Sequence, residues 1–301
     1  MVLDAGDLLF PKAGATPDAA DLARAELLLE AAGALGTAAL GVGDRDLANG
    51  VEWLRERAKQ AKVPLVNANL TMTDGTRPFE AHRVIPAGAA KVGVTGIWLS
   101  HVLPPPAGFV AADPVETTRA EVAALRKAGA DVVVVLAHGT PAGANAVAAV
   151  EGVDLVVPSH LGTGGAPQQP PGGGGFVMAS GHEGRSVLQV DLSLGAAGPL
   201  VDGSAADRAR REIGAMTAAI DTAQRLLEGA KSAEEKAARA RTLEDYRTRL
   251  DAMKAQAAKP VPSNANTFFS RLEVLGQGAP EDAVWAEKIR RLEEKHPAPA
   301  H

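Results

Sequence analysis

The sequence predicts an α/β fold that gives way to a helical hairpin in its C-terminal third, and three observations carry that prediction. Short apolar runs alternate with amphipathic helical segments from the start to about residue 195, the pattern of strands separated by crossover helices. The run from Val132 to Ala137 is uninterrupted and apolar, as in a strand covered on both faces. After Ser204 the composition shifts to Ala, Arg, Glu and Lys, with apolar residues at heptad spacing.

The elements follow in order. Val2 to Gly6 reads as a strand. Thr16-Pro17-Asp18 opens a helix running to about Ala32, with proline in its first turn. A second strand begins at Thr37, and Leu47 to Lys62 reads as a second helix. Pro64 to Leu70 is expected to be one strand, followed by strands from Arg83 and from Lys91. Asp113-Pro114-Val115-Glu116 is a capped start with proline at the first helical position. Its helix is expected to end near Gly129. Residues 142–151 suit a short helix before the strand at Val153. Phe176 to Ser180 and Ser186 to Leu194 are late strands, the second alternating like a half-solvated one. Residues 162–175 form a loop rich in Gly and Pro, without the G-x-x-x-x-G-K-[ST] spacing that cradles phosphate. In the helical third, Ile213, Met216, Ile220 and Leu227 share one stripe, and Leu243, Tyr246, Leu250 and Met253 another. Ser232 and Glu235 form a capping box between the two runs. A strand from Asn266 and a helix from Glu281 to Lys295 precede a tail expected to be disordered. The expected organisation is a core over 1–203, a hairpin over 204–260, and a strand, helix and tail over 261–301.

Composition narrows the function. The 301 residues are 46% hydrophobic, with a formal net charge of -5 and no long basic run, which argues against a nucleic-acid partner. No cysteine is present, so thiolate metal sites, cysteine nucleophiles and disulfides within the chain are excluded. The longest apolar run falls well short of the roughly 18 residues of a membrane span. No signal peptide is visible at Met1.

Chemistry-bearing residues fall at successive strand ends, where α/β folds collect ligands. Asp7 follows the first strand, Asp44 and Asp46 the second, His138 the Val132 strand, and His160 the strand at Val153. Carboxylates combined with imidazoles suit a divalent metal such as Mn, Zn or Fe. Any one of these residues alone would more often be a turn, cap or structural residue; the joint placement is the signal.

These stretches resemble, in order, the motifs of calcineurin-like metallophosphoesterases of the 5′-nucleotidase type. Val2 to Leu9 resembles the strand and G-D motif, Leu40 to Asp46 the G-N-H-E-x-D motif, Val132 to Gly139 the strand-histidine motif, and Gly152 to Gly162 the G-[VI]-D-x-[IV]-x-G-H-x-H motif. The resemblance covers about residues 1–203. It implies a layered β-sandwich flanked by helices, with Asp7, His138 and His160 as metal ligands. It further implies metal-dependent hydrolysis of a small phosphate ester or nucleotide, and a periplasmic setting. The departures matter as much. Val42 stands where the family carries a metal-binding asparagine, Gly43 where it carries the catalytic histidine, and Gly162 where it carries the second histidine of G-H-x-H. Asp46 matches the aspartate that orients the catalytic histidine, here without that histidine. Asp44, one residue beyond, offers a local carboxylate. The family's D-x-H motif has no counterpart, and on this reading precedes Met1. Nothing after Ser204 resembles a nucleoside-gripping domain. The hairpin instead resembles nucleotidase-like proteins that continue into haem-binding segments, and C-x-x-C-H is absent here. The alternative to an enzyme is a non-catalytic binding or scaffolding module on the same fold, with the hairpin offering a surface to a protein partner.

Overall fold

A computed structural model describes residues 1–99, 104–159, 164–181, 184–195, 198–259, 261, 264–276 and 278–297. In chain order the elements are β1 (Val2–Asp4), α1 (Ala19–Ala34), β2 (Thr37–Gly41), α2 (Val51–Ala61), β3 (Leu65–Val66), β4 (Leu70–Met72), β5 (His82–Ala87) and β6 (Ala90–Trp98). There follow β7 (Phe109–Ala111), α3 (Pro114–Lys127), β8 (Val132–His138), α4 (Pro141–Ala148), β9 (Leu155–Ser159), β10 (Phe176–Val177) and β11 (Ser186–Ser193). The last are β12 (Val201–Asp202), α5 (Ala205–Glu228), α6 (Ala233–Ala257), β13 (Thr267–Val274) and α7 (Ala283–Lys295). The chain divides into two compact units, one of Met1–Gln189 with Leu272–His301 and the other of Val190–Arg271.

The first unit is the expected α/β assembly. One sheet has the order β1-β2-β3, all parallel. A second has the order β10-β9-β8-β6-β5, parallel except for the β5–β6 hairpin, and β4 pairs antiparallel with β7 in a third. All seven residues of β8 are buried, which is why its sequence is apolar without alternation. Leu29 of α1, Leu40 of β2 and Leu54 of α2 belong to one core cluster, and Leu125 of α3, Val135 of β8 and Val147 of α4 to a second. The strands β2, β6 and β8 lie against one another. Gly96 lets β6 come close to β3, since a Cβ there would lie 2.1 Å from the Val66 carbonyl oxygen.

Local chemistry moved several boundaries. α1 begins two residues later than the Thr16-Pro17 signal suggests. Asp18 accepts the Asp21 backbone N–H at 2.8 Å, and the Asp21 carboxylate accepts the Asp18 N–H at 3.4 Å, a complete capping box. α2 starts at Val51 rather than Leu47, because residues 44–49 are spent in turns closed by Ala48 N–H to Arg45 and Gly50 N–H to Leu47. The single strand expected over Pro64 to Leu70 is two. The Asn67 side-chain oxygen accepts the N–H groups of Asn69 and Leu70 at 3.2 and 2.9 Å and turns the chain between β3 and β4. At α3 the Asp113 cap accepts the Glu116 N–H, with Pro114 at the first position, as the sequence predicts.

In the second unit, α5 and α6 form the helical hairpin. Ile220, Ala223 and Leu243 are its buried core, with Met216, Leu227, Tyr246 and Leu250 packed around them. Both predicted stripes therefore meet within one chain. Ser232 accepts the Glu235 N–H at 3.1 Å, while the Glu235 carboxylate reaches the N–H of Lys231 rather than that of Ser232. β12 pairs in parallel with β13 in a three-stranded sheet ordered β11-β13-β12. Among the described residues no helix is long and apolar enough to cross a membrane.

Candidate metal centre

The first two strands of one sheet and β8 of the other deliver their side chains to a common place at their C-terminal ends. Asp7 lies three residues beyond β1, Asp44 three beyond β2, and His138 is the last residue of β8. One ligand atom from each falls within 4.8 Å of the others. His138 Nδ1 is 3.6 Å from Asp7 Oδ1, and Nε2 is 3.5 Å from Asp44 Oδ1. Asp7 and His138 are thus brought together as the sequence suggests. Asp44 joins them. His160 and Gly162 lie outside the described residues.

The backbone is bent to make this happen. Asp7 sits at φ 62°, a left-handed conformation that a non-glycine residue seldom adopts and that clusters at functional sites. The Asp46 carboxylate holds the bend in place. Its Oδ2 accepts the N–H of Asp7 at 2.8 Å and of Gly43 at 2.9 Å, and its Oδ1 accepts those of Leu8 and Leu9 at 2.9 and 3.2 Å. Asp46 is fully buried and so ties the two metal-side loops to each other through four backbone donors. Sequence reasoning saw only an orienting residue that had lost its histidine. Burial pushes the Asp46 carboxyl up to about 7 against the lowering effect of the Gly43 N–H, with the Asp7 charge adding to the rise. Burial likewise raises Asp4, whose Oδ1 accepts the Gly6 N–H at 2.8 Å. Carboxylates gathered this closely with an imidazole suit a cation.

His138 is locked from three sides. Its Nδ1 is 2.9 Å from Ser159 Oγ, and its Nε2 accepts the Asp44 N–H at 3.4 Å. The Trp98 ring lies 4.5 Å from the imidazole, centroid to centroid. Trp98 is itself clamped by Asn69, whose Oδ1 accepts the Trp98 N–H at 2.7 Å and whose Nδ2 donates to the Trp98 carbonyl at 2.8 Å. Neither Ser159 nor the Asn69–Trp98 clamp was singled out from the sequence. The position of Ser159, immediately before His160 at a strand end, was the available signal.

The two departures from the motif have physical consequences. Val42 is buried in the hydrophobic core with Leu9, Leu40 and Leu47. At Gly43 a Cβ would lie 2.2 Å from Asp7 Oδ1 and 2.9 Å from Asp7 Cγ. The Asp7 carboxylate therefore occupies the room that any side chain at position 43 would need. Among the described residues the donors gathered here are two carboxylates and one imidazole, types that suit a divalent ion.

No family model matches the sequence, and no curated protein is similar to it at the sequence level. Solved structures are similar in fold. The calcineurin-like phosphoesterase YfkN from Bacillus subtilis matches over 97% of this chain and 82% of its own, with a TM-score of 0.61 and 15% identity. A 5′-nucleotidase precursor from Thermus thermophilus matches over 97% of this chain and 49% of its own, with a TM-score of 0.60 and 17% identity. The sulfate thiohydrolase SoxB from the same organism matches over 64% of this chain at 23% identity and a TM-score of 0.53. The chain spans 36% of that SoxB structure, and so about a third of its length.

Proposed function

With the fold of calcineurin-like phosphoesterases and 5′-nucleotidases as the premise, we propose that this chain holds a single divalent ion at Asp7, Asp44 and His138 and binds a phosphate ester or nucleotide there. The observation that supports the reading is the meeting of these three side chains at the C-terminal strand ends, at distances a metal can bridge. His160 completes the ligand set implied by the motif. A bound divalent ion polarises a phosphoryl oxygen and acidifies the water it carries. The chain's own residues position that chemistry: Ser159 fixes the His138 ring, Trp98 shields one of its faces, and Asp46 holds the two loops in register.

Two-metal in-line displacement needs ligands on both sides of the transferred group. Val42 supplies no ligand where the motif has its asparagine, and Gly43 no imidazole where it has its catalytic histidine. The chain is therefore proposed to bind its phosphate ligand and to turn it over slowly, far below an intact two-metal enzyme. The alternative, a scaffolding module without metal, separates from this reading by one experiment. Purified protein is loaded with Mn or Zn and assayed for metal retention and for hydrolysis of an aryl phosphate. The reading expects a retained ion, weak hydrolysis, and loss of both in Asp7→Asn and His138→Ala. Absence of metal binding by the wild type would favour the scaffold.

A further inference from the structure

Asp7 faces a second cation besides the candidate metal position. Its Oδ1 accepts the Arg45 backbone N–H at 3.2 Å, and its Oδ2 is 3.9 Å from Arg45 Nε. The Asp7 side chain is only 7% exposed, whereas that of Arg45 is 40% exposed. Arg45 thus reaches from solvent to the rim of a buried acidic cluster. The contact with Asp7 is long and engages one nitrogen of the guanidinium. No side-chain hydrogen bond from Arg45 occurs among the described residues. A guanidinium meets a phosphate as a planar two-pronged donor and keeps its charge at any working pH.

We propose that Arg45 binds the phosphate group of the ligand, supplying the fixed positive charge that a second metal ion supplies in a two-metal centre. The inference rests on the single-ion reading above. The Asp7 carboxylate meets both groups: His138 Nδ1 is 3.6 Å from its Oδ1, and Arg45 Nε is 3.9 Å from its Oδ2. Among the described residues the other side chains at the centre are carboxylates and a partnered imidazole, so Arg45 is the one that brings a fixed positive charge to a phosphate dianion seated on the ion. The long contact to Asp7 keeps Arg45 at the site without committing its donors. This also accounts for arginine within a Gly-Asp-Arg-Asp turn whose neighbouring side chains face inward, since Asp44 and Asp46 point to the cluster and the loop backbone while Arg45 remains half exposed.

The test is calorimetric titration of inorganic phosphate into wild type, Arg45→Ala and Arg45→Lys, each with and without saturating Mn, alongside titration of Mn alone. Loss of a charge-assisted contact predicts phosphate binding weaker by about tenfold or more in Arg45→Ala. Arg45→Lys should fall between, because it keeps the charge and loses the fork. Mn affinity in Arg45→Ala should be unchanged or higher, since a competing cation has been removed beside Asp7. Unchanged phosphate affinity in Arg45→Ala would overturn the inference. So would Mn affinity falling in step with phosphate affinity, which would make Arg45 a support for Asp7 rather than a ligand contact. Failure of the wild type to bind Mn would refute the single-ion reading instead, and the metal-free phosphate titrations would still decide whether Arg45 holds the anion.

Discussion

Replacing Gly43 by alanine tests how tightly the lack of a side chain at position 43 is coupled to the position of Asp7. The new Cβ would sit 2.2 Å from Asp7 Oδ1, where ordinary van der Waals contact begins at 3.4 Å, so the oxygen must retreat by 3.4 − 2.2 = 1.2 Å. That retreat breaks the 3.2 Å hydrogen bond from the Arg45 N–H and opens the 3.6 Å approach to His138. Metal–ligand distances tolerate only about ±0.2 Å. A ligand displaced this far is lost unless the loop moves with it, and the loop is pinned by Asp46. Overpacking at such a site costs about 1–3 kcal/mol. Gly43→Ala is therefore expected to weaken Mn binding by about tenfold or more, from one carboxylate ligand lost, and to lower the urea midpoint of the metal-free protein. Gly43→His should do the same, since its side chain needs the room that the Asp7 carboxylate fills. Wild-type metal affinity and stability in Gly43→Ala would refute the reasoning.

Three further outcomes are expected. Ser159→Ala removes the partner of His138 Nδ1 and should weaken metal binding by about tenfold while leaving the fold intact by circular dichroism. Arg126 donates to the carbonyls of Ala130, Asp131 and Gly152 and to Asp154 Oδ2, so Arg126→Met should destabilise the protein by about 2–4 kcal/mol in urea unfolding. Burial already raises Asp154, and Arg126 is among the groups that hold it down. A raised carboxyl favours the folded state at low pH and loses that contribution as pH rises through its folded value. Without Arg126 the rise is larger, so the deficit of Arg126→Met should grow from acid toward neutral pH; a deficit constant with pH would contradict it. Leu250→Glu places a charge beside the buried Ile220–Leu243 cluster of the hairpin and should loosen α5 against α6 without changing the molecular mass in solution, as read by light scattering. A dimer turned into a monomer would instead assign those stripes to an interface between chains.

Most of what places the site was legible in the sequence, and the exceptions share a cause. The strands β2, β6, β8 and β9 announce themselves because they are buried apolar runs, and Asp7 and His138 follow from where those runs stop. Residues 47–50 read as the start of a helix, yet the turn there is set by bonds to the Asp46 carboxylate from Asp7, Leu8 and Leu9. Partners 37 to 39 positions away carry no local signal. Asn67 broke a strand for a nearer reason, a side-chain oxygen that competes for the next turn's N–H groups. Asp44 was visible as a strand-end carboxylate, but its approach to His138 Nε2 depends on two sheets meeting, which spacing along one chain cannot reveal. The hairpin was legible in both stripes because its packing is local and periodic.

The central claim, that the fold retains a single-ion centre at Asp7, Asp44 and His138, is tested most directly by counting metal. Purified protein dialysed with excess Mn or Zn and then freed of unbound ion should carry about one ion per chain by elemental analysis, lost in His138→Ala. Two tightly held ions per chain would contradict the account.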